Sequence, residues 1–325
     1  MITRKERIAM ALRFEEPDRP PHFEQLFELP MEAFGMKFPE NSKFEGVVGD
    51  EKKRLFEQTA LIYAKTIETF DWDAVIVSPP VVWPPYEDPG HNGYEFIPFL
   101  KDYLRSYFGE DIPVGAFLWF ALLCIDTIKD YMEFSEMLFE RRHEVHEWAE
   151  RICDEGMRHV RQLINIGVDF IDIASDHAFN KGTFLSPNDF RELVTPYMKK
   201  LTRFIQSQGL WVIMHSDGDL MGIMDQIVEI KPDVLQSIDP MAGMNIKEVK
   251  RLTYGQVALM GNVRCSYLQE GPAEKIRESS RYCIDHGAPG GGFIFSSSNT
   301  IFPGVPLENY RVMLDCFHGI YENTF

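Results

Sequence analysis

Eight short apolar runs, each ending in polar or turn residues and followed by a stretch of helical period, constrain this chain more than any other feature of it. They begin near His22, Trp72, Ile112, Val168, Leu210, Asp233, Gln256 and Gly291. Several are apolar at both parities, as strands buried on two faces are. Between them lie segments such as EKKRLFEQTALIYAKTIETF, SPNDFRELVTPYMKKLTRFIQSQG and GPAEKIRESSRYCIDHG, whose spacing is helical. In the second of these, Ser186 or Asn188 offers an N-cap and Pro187 suits the first turn. A β-then-α order repeated eight times in 325 residues predicts an α/β fold, a (β/α)8 TIM barrel with an N-terminal extension and elaborated loops. No polar linker or composition break divides the chain, so one barrel domain over residues 1–325 is expected. Residues 81–111, rich in Pro, Gly and aromatics, read as a loop over a binding face, and 126–167 as a short helix followed by a longer one.

Charge then narrows the partners. Lys and Arg total 33 against 50 Asp and Glu, a formal charge of −17, and such a surface repels phosphate backbones, so no nucleic-acid partner is expected. The five cysteines, at 124, 153, 265, 283 and 316, form no C-x-x-C pair and no disulfide framework, which fits a reducing cytoplasm. The N-terminal stretch lacks the apolar run of an export signal, and the longest apolar segment, IPVGAFLWFALLCI, is too short to span a bilayer, so no membrane partner is expected.

In a barrel the C-terminal ends of separate strands converge on one basin, so distant residues become neighbours. Those ends carry Glu24 and Glu28, Ser78, Asp176 and His177, His215 and Asp217, Asp239, Asn262, and Ser296 to Asn299, the last two being Ser298 and Asn299. His215 and Asp217, two apart on an extended segment, face the same side. Four roles are open to them: binding a metal, holding a substrate oxygen or amine, transferring a proton, or pairing structurally at the strand end. Asp176 and His177 offer a base, a ligand or a cation contact, or simply satisfy loop hydrogen bonds. Asp219 reads as a helix cap, Asp239 before Pro240 as turn chemistry or a pocket residue, and Asn262 as an amide clamp or a loop-satisfying side chain.

Other features point away from common chemistries. The glycines of GAPGGGFIFSSSN precede a strand and lack the spacing of nucleotide loops, and no G-x-S-x-G elbow is present. Cys283 and His286 fall on the helix before the last strand and read as structural, and Cys265 as a buried small side chain. Trp83, Tyr86, Tyr94 and Phe96 in the long loop, with Trp119 and Phe120 at the end of the third run, could cover an aromatic or methylammonium substrate or pack in the core.

At HSDGDL, IDPMAGMNI, LMGNVR and GGGFIFSSSNTIFPGVPLENY the chain resembles the uroporphyrinogen decarboxylase superfamily, including its corrinoid-dependent methyltransferases. The resemblance runs from RKERIAMALRFEEPDRPP through the last strand and implies the same barrel. In true uroporphyrinogen decarboxylases an early loop supplies arginines for an acidic tetrapyrrole. Here that region reads HFEQLFELPM, and Glu24 and Glu28 stand in place of the positive charge. Methyltransferases of the superfamily that act on coenzyme M carry zinc on an H-x-C pair and a late cysteine. Here the pair is His215 and Asp217 and the late position is Asn299, so a zinc site would rest on oxygen and nitrogen ligands.

The resemblance therefore implies a demethylating methyltransferase that moves a methyl group from a small methoxylated aromatic or methylated amine to a corrinoid (cobalamin) held by a partner protein. Asp176, His215 and Asp217 would be catalytic, and Glu24, Glu28, His177, Trp119, Asp239, Asn262, Ser298 and Asn299 would bind the donor. A metal, if held, falls to His215 and Asp217. Glu24 and Glu28 lean toward a cationic donor. The alternatives are a decarboxylase-like lyase and a non-catalytic metabolite-binding barrel. A homo-oligomer is compatible with either.

Overall fold

The computed structural model describes residues 2–77 and 92–321. Nine strands are present among them: β1 (Val75–Val77), β2 (Val114–Trp119), β3 (Phe170–Ala174), β4 (Ala178–Phe179), β5 (Gly182–Thr183), β6 (Trp211–His215), β7 (Val234–Gln236), β8 (Ala258–Val263) and β9 (Phe293–Ser297). β4 and β5 form a small antiparallel hairpin, and the other seven make one sheet in the order β1-β2-β3-β6-β7-β8-β9. Every pair in that sheet is parallel. Parallel neighbours need crossovers, and helices supply them, so each strand end opens on the same side.

The first apolar run departs from expectation in form but not in place. Instead of a ladder it makes isolated parallel bridges, His22 with Phe295 and Phe27 with Ile301. Phe295 donates its N–H to the Pro21 carbonyl at 2.8 Å, and on the other flank Asp73 donates to the His22 carbonyl at 2.7 Å. The segment thus sits between β9 and the residues entering β1, in the eighth position of a TIM-like barrel.

Side-chain parity follows from the packing inside the sheet. Phe170 stacks on Trp211 with ring centroids 3.9 Å apart, and Phe23 packs against both. A Cβ on Gly115 would lie 2.2 Å from the Phe170 ring, so only glycine fits where β2 faces this cluster. These side chains plug the N-terminal end of the barrel. At the same end Arg7 and Arg19 reach the buried Asp73 at 2.6 and 2.7 Å and tie the N-terminal helix Arg4–Leu12 beneath it. The glycines before β9 serve this docking: a Cβ on Gly291 or Gly292 would lie within about 2.5 Å of Phe14 or Glu15 atoms.

Several expected elements are corrected. Residues 92–108, read as loop, form the helix Asn92–Phe108, with Phe96 fully buried against Phe56. Phe96 therefore belongs to the core. The helix expected after Ser186 is two, Pro187–Leu193 and Thr195–Ser207, broken where Pro196 takes a first-turn position. Ser186 caps the first as foreseen, accepting from Asp189 N–H. Residues 131–140 and 142–165 are the short and long helices expected there. Ser78, Trp83, Tyr86 and the Tyr94 side chain lie outside the described residues. Among the described residues no helix is long and apolar enough to cross a membrane.

Candidate functional site at the barrel mouth

Asp176, His215 and Asp217 come together at the C-terminal end of β3 and β6. One ligand-type atom from each lies within 4.8 Å of the others, and His215 Nε2 is 3.8 Å from Asp176 Oδ1. The register explains this: Ala174 pairs with His215, so the residues just beyond them, at the same parity, face the same opening. The Asp217 N–H donates to Asp176 Oδ1 at 2.9 Å, which locks the two strand ends to each other. Asn299, leaving β9 on the far side of the mouth, donates its amide N–H to Asp217 Oδ2. Asp217 Oδ1 is buried with no hydrogen-bond partner among the described residues.

Charge in the cluster is unbalanced. Burial pulls the His215 pKa down, but Asp217, Asp172 and Asp176 more than offset it, and the net shift is upward. Burial raises Asp217, with Asp176 adding to it against the opposing pull of His215. Burial pushes Asp172, inside the barrel on β3, up to about 6. Asp126, on the turn after β2, is also raised, by burial and by Asp176. The positive charge acting on Asp126, Asp172 and Asp217 is that of His215. Carboxylates thus outnumber the one histidine in the cluster.

Beneath the cluster lies a polar layer that the sequence analysis did not single out. The Gln25 amide donates to Asp172 Oδ2 at 2.9 Å, and Gln236 Oε1 accepts from His215 Nδ1. The available signal was a glutamine interrupting the apolar run DVLQSIDP and an aspartate interrupting VDFIDIAS, both at inward parity.

The remaining expected residues are distributed unevenly. Trp119 ends β2 at inward parity, half-buried against Phe117 at 5.0 Å, and Phe120 beyond it is exposed. Glu28 is exposed and lines a cavity of about 540 Å³ with Met31, Lys37 and Phe38, beside the segment that completes the barrel. Glu24 is fully buried and turned toward β9, accepting from Ser297 N–H at 3.0 Å and Ser297 Oγ at 2.6 Å; burial pushes it up to about 8. Ser298 is buried with its hydroxyl on Cys265 Sγ at 3.4 Å, and burial pushes that thiol up to about 11. Asp239 caps the turn Pro240–Ala242 by accepting from Met241 N–H, the turn chemistry expected of it.

Two expectations of ligand contact fail on geometry. His177 is turned away from Asp176 into an apolar layer, edge-on to Phe190 at 5.1 Å and stacked on Phe184, with neither ring nitrogen hydrogen-bonded among the described residues. Successive extended residues face opposite sides, so Asp176 and His177 cannot share the mouth. Asn262 faces outward: its amide donates to the Ile238 carbonyl at 2.8 Å, and its oxygen accepts from the Cys283 thiol at 3.1 Å. Cys283 is thereby the structural side chain expected.

The uroporphyrinogen decarboxylase (URO-D) family model matches residues 102–320. The chain belongs to this family. A uroporphyrinogen decarboxylase of Geobacter metallireducens is 25% identical over 240 residues, covering 71% of this chain and 68% of that one. One from Thermus thermophilus is 26% identical over 228 residues, 70% of this chain and 59% of its own length. Among solved structures, a methyltransferase from Methanosarcina mazei superposes with a TM-score of 0.76 over 99% of this chain and 100% of that chain. Its sequence identity is 18%, so the likeness speaks for the barrel.

The cysteine ligands that hold zinc in the coenzyme M methyltransferases of the superfamily are replaced here by Asp217 and Asn299, and the residues that come together fit a divalent cation through other donors. Asp217 presents a buried oxygen without a partner, His215 presents Nε2, and Asp176 supplies a second carboxylate. The donors are oxygen and nitrogen, a set that suits harder or borderline divalent ions.

Proposed function

We propose that this chain is a single-domain, cytoplasmic methyltransferase of the uroporphyrinogen decarboxylase family. It takes a methyl group from a small methoxylated aromatic or methylated amine and delivers it to a corrinoid carried by a partner protein. The observation that carries this reading is the Asp176–His215–Asp217 cluster, braced by Asn299, at the mouth of the barrel. A substrate with many carboxylates would meet repulsion from Asp126, Asp176 and Asp217 there, which weighs against tetrapyrrole decarboxylation. The fold likeness to the Methanosarcina methyltransferase supports the transferase reading.

In this reading the donor enters beside Trp119, and the partner covers the same mouth. The exposed Phe120 and Met241, beyond β2 and β7, and Phe179, on the β4–β5 hairpin that follows β3, give that rim an apolar character suited to a partner. Cleavage of a methyl ether leaves an alkoxide or phenolate that needs a proton, and the doubly protonated His215 ring, favoured by the carboxylates around it, would deliver it from Nε2 and keep its Nδ1 proton on Gln236. A methylated ammonium leaves as a neutral amine and needs only the carboxylates of Asp176 and Asp217 to hold its charge beforehand. Asn299 keeps Asp217 turned toward the donor. Held by Asp176, His215 and Asp217, a divalent cation would supply electrophilic stabilisation of a leaving oxygen. A reduced corrinoid, when presented, supplies the nucleophile that accepts the methyl group.

The test is a donor screen with the purified chain, a reduced corrinoid protein, methoxylated aromatics and methylated amines, following corrinoid methylation by its visible spectrum. We expect turnover with at least one class and at least a hundredfold loss in His215→Ala at unchanged melting temperature. Carbon dioxide release from uroporphyrinogen without any methyl transfer would sink the reading in favour of the decarboxylase.

A further inference from the structure

We propose that Gln236 is a positioning residue for His215, fixing its proton on Nδ1 so that a bare Nε2 lies beside the oxygens of Asp176 and Asp217, open to a metal ion or a proton. The inference concerns the ring itself and stands whether or not the methyl-transfer reading does. Gln236 and His215 are register partners on β7 and β6, and their side chains meet inside the barrel, where Oε1 of the amide accepts from Nδ1. A neutral imidazole carries one N–H, so an acceptor on Nδ1 decides which nitrogen keeps the lone pair. Here that nitrogen is Nε2, 3.8 Å from Asp176 Oδ1.

Two further observations make Gln236 a specific choice. Its neighbour of the same parity on β7, Val234, is apolar and equally buried, so packing alone asks for no amide at this level. Gln236 is fully buried, and its Nε2 has no hydrogen-bond partner among the described residues. A buried amide half unsatisfied costs stability. The bond to His215 is the one interaction that the amide makes among the described residues and that an apolar side chain could not. The reversed amide would donate to Nδ1, place the ring proton on Nε2, and present an N–H to the mouth in place of a lone pair. A metal ligand or proton acceptor at the mouth requires the first arrangement, in which the amide acts as the outer partner that orients a coordinating imidazole.

The experiment uses the full chain with 15N-labelled histidine at a pH where the ring is neutral, His215→Ala serving to assign the signals. Wild type should show a protonated Nδ1 and a bare Nε2. Gln236→Met should give a mixture of tautomers and weaken Co(II) binding about 10- to 100-fold, with the circular dichroism spectrum and melting temperature retained. Gln236→Glu, whose carboxylate can accept the same hydrogen bond from Nδ1, should restore both. A wild-type ring protonated on Nε2, or a Gln236→Met ring that keeps the Nδ1 proton, would overturn the assignment. If Gln236→Met fails to fold, the wild-type tautomer and Gln236→Glu decide the question. If the wild-type chain takes up no Co(II), the metal-holding role of the cluster fails while the tautomer still decides Gln236.

Discussion

His177 and His215 leave neighbouring strands of the barrel at the same end, yet their surroundings give them opposite chemistry. Burial without a hydrogen-bond partner pushes His177 down to about 3, so it stays neutral, whereas three carboxylates lift His215 despite its burial. Replacing His177 by Phe should therefore leave methyl transfer intact and hold or raise the melting temperature, because two unpaired polar atoms give way to carbon between Phe184 and Phe190. A loss of turnover in His177→Phe at unchanged stability would return this residue to the site. Asn299→Ala should act in the opposite sense. Asp217 then loses the donor on Oδ2 and gains freedom to swing, and we expect kcat/KM to fall about tenfold with the fold unchanged, a loss of about 1.4 kcal/mol in transition-state stabilisation. Neither residue type announces its role in the sequence, where Asp176 and His177 are adjacent and look equivalent.

At the scale of elements, β2 owes its place to what it lacks. Gly115 faces the Phe23–Phe170–Trp211 cluster, and the Phe170 ring is held by Trp211 stacked at 3.9 Å behind it, so it cannot yield to a new side chain. Gly115→Val should destabilise the chain by about 1–3 kcal/mol, read as a lower urea midpoint, while the distant mouth keeps its donor preference. An unchanged midpoint would show that the cluster rearranges freely. The same scale explains where the reading of elements failed. The His22 segment has strand-like composition, but its partners on both flanks are supplied by residues far away in sequence, so bridges and side-chain bonds replace a ladder. The helix Asn92–Phe108 tolerates Pro98, and its aromatic surface, which reads as a ligand-covering loop, is consumed by the helix Gly49–Phe70 beside it.

Across the whole molecule, buried titratable groups should set the pH range of stability. The folded pKa of Glu24, about 8, lies above its ordinary 4.5, so its contribution is fully present below about 4.5 and is lost as pH rises through about 8. Asp172, at about 6 against an ordinary 3.8, acts in the same sense at lower pH. His22 and His177 act the other way: with folded values of about 3 against 6.5, their contribution is present above 6.5 and is lost as pH falls through about 3. Glu24→Gln keeps the shape and can still bond Ser297, so its melting temperature should exceed that of wild type by a margin that grows between about pH 5 and 8. A margin that stays flat across that interval would mean that Glu24 ionises freely in the folded chain.

The order of strands and helices, the parallel sheet and the polar strand ends were legible in the sequence, because period and parity are local properties and a barrel gathers its strand ends by construction. His215, Asp217 and Asp176 could be placed at one mouth on that ground. The sequence could not say which way each polar side chain turns, since that depends on the pairing of strands tens of residues apart. Only the assembled barrel decided that Asn299 reaches Asp217, that Asn262 and His177 turn outward, and that Gln236 lies against His215. Local sequence sets which groups are available at a strand end, and the register between strands sets which of them meet.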